Sequence, residues 1–179
     1  ALTTGTLTAM VWQQNRKAEA AMIEEIDVAH KEGVTLGGVT EVVAFGLPVG
    51  LGTYAQTDRR LDARLAEAVM GIPSVKAVEI GDGVAVAAED GQTAHDALLP
   101  AGRGKVRRET NRAGGLEGGV TNGMPLRVRA YAKPISSQRK GVPSVDLRTG
   151  KAVAASYVRS DTCVVPAAGV VAEAATAWE

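Results

Sequence analysis

The feature that most constrains the fold is the segment at residues 111–123, NRAGGLEGGVTNG, which holds five glycines and sets Glu117 between two Gly-Gly pairs. Glycine adopts left-handed backbone conformations that other residues avoid, and it loses more conformational entropy on folding than they do. A segment of this composition predicts a loop whose backbone packs very closely against a neighbouring group. The residues leave open whether that neighbour is a phosphate, a flat cofactor or the backbone of the chain itself.

The same segment lacks the spacing of the common phosphate-binding loops. AGGLEGGVTNG has neither the Gly-Lys-Ser/Thr ending of a P-loop nor the G-x-G-x-x-G pattern of a dinucleotide-binding turn. Glu117 at its centre would also repel a phosphate. A tight turn and a ligand-contacting loop therefore remain equal alternatives for these residues.

Charge and composition argue against several classes of protein. The 20 basic and 20 acidic residues cancel, and aromatic residues make up only 3% of the chain, so neither net charge nor stacking rings favour nucleic-acid binding. No apolar run reaches the roughly 20 residues that span a bilayer. The single cysteine, Cys163, excludes an intrachain disulfide and is typical of a reducing compartment. We therefore expect a cytoplasmic protein that binds neither membrane nor nucleic acid.

Hydrophobic spacing predicts an α+β protein, because helices and strands do not alternate regularly along the chain. Predicted helices cover residues 17–31, residues 58–71 and the chain from Pro166 onward; the first has an apolar stripe of Ala18, Met22, Ile26 and Ala29. Predicted strands cover residues 37–48, two short stretches within 74–91 that flank a turn at 81–83, residues 124–134, and a hairpin within 144–159.

The two histidines do not predict a catalytic or metal site. His30 lies at the end of the first predicted helix, where a cation interacts favourably with the helix dipole. His95 is predicted to lie in a loop or at the start of a helix, beside Asp96. Neither has the spacing to a cysteine or to the other histidine that a protein metal site requires, so we expect no metal.

Five basic residues in ten form a charge run at residues 103–112, where the sequence shows no periodicity: Arg103, Lys105, Arg107, Arg108 and Arg112. We interpret this run as a solvated loop, which is the commonest role of such segments. An anion-binding or nucleic-acid-binding module is the alternative that this run alone would favour.

A candidate phosphate cradle arises where two predicted strands end. The sequence Arg159-Ser160-Asp161 ends one strand shortly before a helix, whose free backbone N–H groups attract anions. Lys133 follows the other strand, with two serine hydroxyls behind it. Cations and hydroxyls in this arrangement suit a phosphate, whereas Asp161 as a helix cap or as the ion-pair partner of Arg159 is the structural alternative.

Three long motifs identify a family resemblance. GLGTYAQTDRRLDARLAEAVMGIPSVKAVEIGDG, TNRAGGLEGGVTNGMPLRVRAYAKPISS and VRSDTCVVPAAGVVAEA occur in order and resemble chorismate synthase of the actinobacterial type, a likeness that runs from about residue 18 to residue 179. The resemblance implies a homotetramer, and for each protomer a β-α-β sandwich with helices held between antiparallel sheets. Residues 1–16 match nothing in that family.

The resemblance also implies an activity, the last step of the shikimate pathway. In that reaction 5-enolpyruvylshikimate 3-phosphate loses phosphate by a 1,4-anti elimination to give chorismate. Chorismate synthase is a lyase that needs reduced FMN although the reaction has no net redox change. NADPH and an external flavin reductase are the alternatives for reducing the flavin.

The resemblance assigns site residues one by one. Asp161 corresponds to the aspartate that assists proton removal at the flavin, and Arg159 corresponds to an arginine near both flavin and substrate. Pro73 and Ser74 stand where relatives often have Asn or Gln followed by Ala. The positions that correspond to FMN contacts are Pro73, Ser74, Gly118, Lys133, Pro134, Ile135, Ser136, Ser137 and Arg159.

Part of the family's active site has no counterpart in this sequence. Neither His30 nor His95 matches the two catalytic histidines of the family, which belong to an amino-terminal half not seen here. We therefore interpret residues 17–179 as the carboxy-terminal portion of a single chorismate synthase domain, and residues 1–16 as a separate, unplaced segment. The alternative is a catalytically incomplete fragment that only binds flavin or anions, or that serves oligomerisation.

Overall fold

The computed structural model describes residues 3–6 and 16–179, which form helices and antiparallel strands. The helices are α1 (Arg16–Glu32), α2 (Leu61–Met70), α3 (Gly83–Val86), α4 (Gly91–Ala94) and α5 (Val165–Trp178), with a 3-10 turn at Thr57–Arg59. The strands are β1 (Thr3–Thr6), β2 (Gly38–Phe45), β3 (Val75–Ile80), β4 (Leu98–Pro100), β5 (Val106–Arg108), β6 (Leu116–Glu117), β7 (Val120–Thr121), β8 (Leu126–Ala132), β9 (Pro143–Val145) and β10 (Ala152–Ala154). The predicted α+β class is confirmed.

One four-stranded sheet organises the described chain, and its strand order is β1-β2-β8-β3 with antiparallel neighbours throughout. Three smaller hairpins, β4-β5, β6-β7 and β9-β10, lie outside it. Strand β8 lies between β2 and β3, so both its ends border loops that belong to distant parts of the sequence. This position makes β8 the element from which the candidate site is built.

The core lies on one face of the sheet, under helices α2 and α5. Burial alternates along β8, and Leu126, Val128 and Ala130 point into the core, as the predicted half-exposed strand requires. Leu65 and Val69 of α2 are 1% and 0% exposed against them. The buried positions of α5 are Ala168, Gly169, Ala172 and Thr176, and such small side chains let that helix approach the sheet closely.

The opposite face of the sheet carries a row of paired charges. Arg129 of β8 lies opposite Glu41 on one side and Glu79 on the other, with nitrogen–oxygen distances of 2.8 and 3.1 Å. The hydroxyl of Tyr131 donates to Glu79, and this bond holds the pKa of the Glu79 carboxyl below its ordinary value. The same bond raises the pKa of Tyr131. The charged side chains on this face therefore form an ionic network that links neighbouring strands.

Most predicted elements are found where the sequence places them. The first predicted helix is α1, although Met22 of its predicted stripe is 42% exposed and only Ala29 is buried. The residue range 1–16 lies mostly outside the described residues; within it, β1 pairs with β2. The division into a separate first segment and a single following domain stays a prediction.

The predicted second strand after residue 83 is wrong, because Gly83–Val86 forms the short helix α3. The buried carboxylate of Glu79 accepts a hydrogen bond from the backbone N–H of Val84 at 2.8 Å. The carbonyl of Asp82 accepts one from the N–H of Ala85, also at 2.8 Å. These bonds turn the chain helically, while β3 takes β8 as its sheet partner. The carboxylate of Glu79, only five residues before Val84, thus holds a turn that the β-branched pattern of residues 84–91 does not predict.

The glycine-rich segment mostly approaches the backbone of the chain itself. A Cβ atom on Gly114 would lie 2.3 Å from the backbone nitrogen of Gly81, so the two loops touch only because Gly114 has no side chain. Gly118 and Gly119 form the two-residue turn between β6 and β7, with φ of +61° and +87°. Positive φ at both central residues is the requirement of a tight hairpin turn of type I′.

Candidate functional site

Two segments that are distant in sequence lie side by side beyond the end of β8. The hydroxyl of Ser137 donates to the carbonyl of Val158 at 2.6 Å and accepts from the N–H of Val158 at 2.7 Å. The hydroxyl of Ser160 donates to the carbonyl of Ser137, also at 2.7 Å. We call residues 133–140 the lysine segment and residues 157–163 the arginine segment. The predicted proximity of these two segments is found, but the arginine segment does not end a strand, because β10 ends at Ala154 and residues 155–160 are irregular.

The loop before β3 contacts the lysine segment. The backbone N–H of Lys133 donates to the carbonyl of Ser74 at 2.9 Å. Ser74 has φ of +74°, a left-handed conformation that is uncommon for a residue other than glycine, and the neighbouring Pro73 is exposed. The structure therefore brings Ser74 directly to the start of the lysine segment.

The lysine and arginine segments each supply an exposed cation. Lys133 and Arg159 are exposed, and neither forms an ion pair within the part of the chain that the structure describes. Ser136, between them in sequence, is exposed as well. Cations without a carboxylate partner, together with a nearby hydroxyl, suit a phosphate or another anion. The alternative in which Arg159 and Asp161 form an ion pair is not what the structure shows.

A small polar cleft lies where the arginine segment faces the end of helix α1. Asp161 lines this cleft, and His30 of α1 lines it too. His30 hydrogen-bonds through Nδ1 to the hydroxyl of Thr162 at 3.0 Å. The remaining lining residues are Gly33, Val34, Thr35, Ser137, Gln138, Arg139, Tyr157 and Ser160. A carboxylate at the wall of a polar cleft can accept a proton from a molecule held there.

Gly118 lies far from the lysine segment in the described chain. The backbone of Gly115 contacts Leu126, which begins β8, whereas Lys133 follows the opposite end of that strand. A strand of seven residues is about 20 Å long. A Cβ atom on Gly118 would meet nothing within 4 Å, so its surroundings are open. The structure thus leaves room for a ligand at Gly118 without placing it beside Lys133, Ser74 or Arg159.

Glu117 has a structural partner in the basic segment. Its carboxylate forms an ion pair with the guanidinium of Arg108, and it accepts a hydrogen bond from the side chain of Asn122 at 2.9 Å. Arg108 belongs to β5, so the predicted irregular loop at residues 103–112 is partly a hairpin that docks on the glycine-rich segment. Glu117, whose charge would repel a phosphate, therefore stabilises the glycine-rich segment instead.

Asp96 is an organising residue that the sequence did not single out. Its carboxylate accepts hydrogen bonds from the hydroxyl of Thr110 and from the backbone N–H groups of Arg112 and Ala113, at 2.7 and 3.0 Å for the two N–H groups. Burial acts to raise the pKa of Asp96, but these hydrogen bonds outweigh it and hold the pKa below its ordinary value. Asp96 thereby fixes the entry to the glycine-rich segment.

His30 was predicted only as a charge at a helix end, and it does lie in the last turn of α1. Its place in the cleft beside Asp161 could not be read from local pattern, because its partner Thr162 lies 132 residues away. The same holds for Asp96, whose three partners follow it by 14 to 17 residues. Periodicity predicts elements, and such contacts arise only when the elements pack.

Comparison with known proteins gives a consistent result. The family model for chorismate synthase matches residues 4–179. A chorismate synthase from Mycobacterium avium (strain 104) is 60% identical over 160 residues, which cover 89% of this chain and 40% of that protein. The corresponding protein of Paenarthrobacter aurescens (strain TC1) is 55% identical over 163 residues, or 91% of this chain and 41% of the relative.

A solved structure, titled "Crystal Structure of Chorismate Synthase", is similar to this chain with a TM-score of 0.70 and 38% sequence identity. The match covers 89% of this chain and 40% of that one. The chain thus spans about two-fifths of the length of the relatives it matches. No helix in the described ranges is both long and apolar enough to cross a membrane.

Proposed function

This chain belongs to the chorismate synthase family, and we propose that it contributes the phosphate-binding side of an active site that converts 5-enolpyruvylshikimate 3-phosphate into chorismate. In that 1,4-anti elimination the C3–O bond breaks, phosphate leaves with the bonding pair, a hydrogen leaves C6, and a new double bond forms. The observation that carries the proposal is the hydrogen-bonded pairing of the lysine and arginine segments at Ser137 and Ser160.

Lys133 and Arg159 are the groups proposed to stabilise the departing phosphate. Charge builds on the leaving oxygen as the C3–O bond breaks, and cations held in place beforehand stabilise that charge without reorganising. Both side chains are exposed, and the described part of the chain offers no carboxylate within ion-pair distance of either, so their charge remains available to a ligand. The exposed hydroxyl of Ser136 can donate to a phosphate oxygen.

Asp161 is proposed as the proton acceptor of the site. It follows Arg159 by two residues and lines the polar cleft, so one short segment presents a cation and a carboxylate. Ser160 lies between them and is fixed by its bond to the carbonyl of Ser137. Asp161 is itself exposed, and the fixed Ser160 keeps its backbone beside the cleft.

Reduced FMN, when bound, would supply transient electron donation that helps expel the phosphate. The residues present fit a phosphate ester with a polyol chain: Ser74, Lys133, Pro134, Ile135, Ser136, Ser137 and Arg159 supply cations, hydroxyls and backbone groups at one end of the sheet. Gly118 lies toward the opposite end of β8, and only the family resemblance proposes it as an FMN contact. Pro73 is exposed and lies next to Ser74 of the first group. We propose these residues as FMN contacts on that basis.

The wider setting follows from the same proposal. A homotetramer in the cytoplasm, with NADPH or a separate flavin reductase keeping FMN reduced, is the arrangement that the family resemblance implies. Because the chain spans about 40% of the length of its relatives, the catalytic histidines of the family would come from outside these residues. The second candidate is a module that binds flavin or anions without turnover, which the exposed Lys133 and Arg159 would equally support.

A hybrid enzyme distinguishes the two candidates. In it, the residues of this chain that match the Mycobacterium avium chorismate synthase replace the corresponding segment of that protein. The measurement is anaerobic release of phosphate from 5-enolpyruvylshikimate 3-phosphate in the presence of reduced FMN. We expect turnover by the hybrid and none by this chain alone. A folded hybrid that binds FMN but releases no phosphate would favour the fragment.

A further inference from the structure

Residues 33–36, between α1 and β2, lie against both the lysine and the arginine segments, and we call them the strap. The carbonyl of Gly33 accepts a hydrogen bond from the N–H of Lys140 at 2.8 Å. The N–H of Leu36 donates to the carbonyl of Thr162, also at 2.8 Å. The strap therefore ties together two segments whose direct hydrogen bonds, among the described residues, involve Ser137 and Ser160.

Thr35 makes the side-chain contact at the centre of the strap. Its hydroxyl donates to the carbonyl of Ile135 at 2.6 Å, and its backbone N–H donates to the side-chain oxygen of Gln138 at 3.3 Å. The side chain is half-buried, so water does not simply replace the lost partner if the hydroxyl is removed. Thr35 thus holds the lysine segment at two points on either side of Ser136.

The other side of the strap fixes the arginine segment. Besides the Leu36 bond, a parallel bridge pairs Leu36 with Cys163, and His30 hydrogen-bonds to Thr162. These contacts hold the chain directly after Asp161. One short stretch consequently sets the distance between the segment that carries Lys133 and the segment that carries Asp161.

We infer that Thr35 is a positioning residue of the active site, which acts through its hydrogen bond to Ile135 rather than on the reacting atoms. The inference rests on the proposed function for its kinetic consequence. Its physical basis is that catalytic groups on two loops must be held to within a fraction of an ångström, and a misplacement of about 1 Å can cost roughly 100-fold in rate.

The test replaces Thr35 in the hybrid enzyme. Thr35→Val keeps the shape and removes the hydroxyl, whereas Thr35→Ser keeps the hydroxyl. Thr57→Val is the matched control, because Thr57 is exposed and lies in the 3-10 turn before α2, outside the strap and both segments. We expect Thr35→Val to lower kcat by about tenfold or more, with a smaller change in the Kd for FMN. Thr35→Ser should keep most of the parent's kcat, and Thr57→Val should have the same kcat and Kd as the parent.

Amide hydrogen exchange on this chain tests the role of Thr35 independently of the proposed enzymatic activity. We expect Thr35→Val to speed exchange in residues 135–140 and 158–163 while the β8 core keeps its protection. Unchanged exchange in both segments would overturn the inference, and so would a Thr35→Ser hybrid as slow as Thr35→Val. An inactive parent hybrid would overturn the proposed function instead, and the exchange result would still decide whether Thr35 couples the segments.

Discussion

The hydroxyl of Ser160 donates a hydrogen bond to the carbonyl oxygen of Ser137 at 2.7 Å, across 23 residues of sequence. Ser137 in turn uses its own hydroxyl as both donor and acceptor to the backbone of Val158. These two serines, one from the arginine segment and one from the lysine segment, therefore form a continuous hydrogen-bonded seam. The relative placement of Lys133 and Asp161 depends on this seam.

Replacing Ser137 by alanine should break the seam from one side. The Ser137→Ala change removes both bonds to Val158 but leaves the backbone carbonyl that accepts from Ser160. Because the region is partly exposed, water can satisfy Val158, so we expect a small loss of stability but a fall in kcat of about tenfold for the hybrid enzyme. Phosphate release and thermal unfolding measure the two effects.

Ser156→Ala provides the control for that change, since Ser156 is exposed and precedes the arginine segment. We expect its kinetics to equal those of the parent hybrid. Equal kinetics for Ser137→Ala as well would mean that the seam does not position the catalytic groups.

Two glycines of the same loop should respond differently to alanine. Both Gly114 and Gly118 have positive φ, of +63° and +61°, so either change carries a backbone strain of about 1–2 kcal/mol. Only at Gly114 would the new Cβ atom collide with backbone, 2.3 Å from the nitrogen of Gly81. We expect Gly114→Ala to lower the free energy of unfolding by more than about 3 kcal/mol and Gly118→Ala by about 1 kcal/mol. Urea unfolding compares them, and equal losses would refute the backbone contact.

Asp96 should stabilise the protein in a pH-dependent way. Its folded-state pKa is held below the ordinary 3.8, so its carboxylate contributes stability above that value, and the contribution is lost as the pH falls through the folded-state pKa. At about pH 7, Asp96→Asn should lower the free energy of unfolding by about 2–4 kcal/mol, since it disrupts hydrogen bonds to two buried or half-buried N–H groups.

Urea unfolding at several pH values checks this prediction, with the exposed Asp27→Asn as control. We expect the difference between Asp96→Asn and the parent to shrink as the pH is lowered toward about 3, while Asp27→Asn stays close to the parent throughout. A difference that does not depend on pH would show that Asp96 acts by packing rather than by its charge.

Asp161 should matter for turnover and not for flavin binding. If it accepts a proton, Asp161→Ala in the hybrid enzyme lowers kcat by about 100-fold or more. The Kd for FMN should change little, because the residues proposed to hold the flavin remain. Fluorescence titration and phosphate release measure the two quantities. Parent-like turnover would remove the catalytic role from Asp161.

The sequence anticipated those features whose causes are local. Alternation identified β8, helical spacing identified α2, and the turn at Thr149 and Gly150 placed the β9-β10 hairpin, because each depends on neighbouring residues. The meeting of the lysine and arginine segments is as predicted, although the strand expected to run up to Arg159 ends at Ala154. A local cause was missed after residue 83: the sequence predicts a strand there, but the Glu79 carboxylate, five residues before Val84, accepts the N–H of Val84 and helix α3 forms.

Contacts between residues far apart in sequence could not be predicted from the local sequence pattern. Thr35 lies 100 residues from Ile135, and His30 lies 132 residues from Thr162. Neither residue stands in a recognisable motif, so only the assembled sheet reveals that α1 and the strap border the site. The resemblance located the cation-bearing segments, whereas the structure identified what holds them together.

Replacement of Arg159 by alanine in the hybrid enzyme tests the central claim most directly, because Arg159 is the proposed contact of both phosphate and flavin. Arg148→Ala is the control, since Arg148 is an exposed arginine in the turn of the β9-β10 hairpin. We expect Arg159→Ala to weaken the binding of FMN and to raise the Michaelis constant for the phosphorylated substrate by about tenfold or more each, with Arg148→Ala unchanged. Parent-like titrations of Arg159→Ala with both ligands would contradict the account.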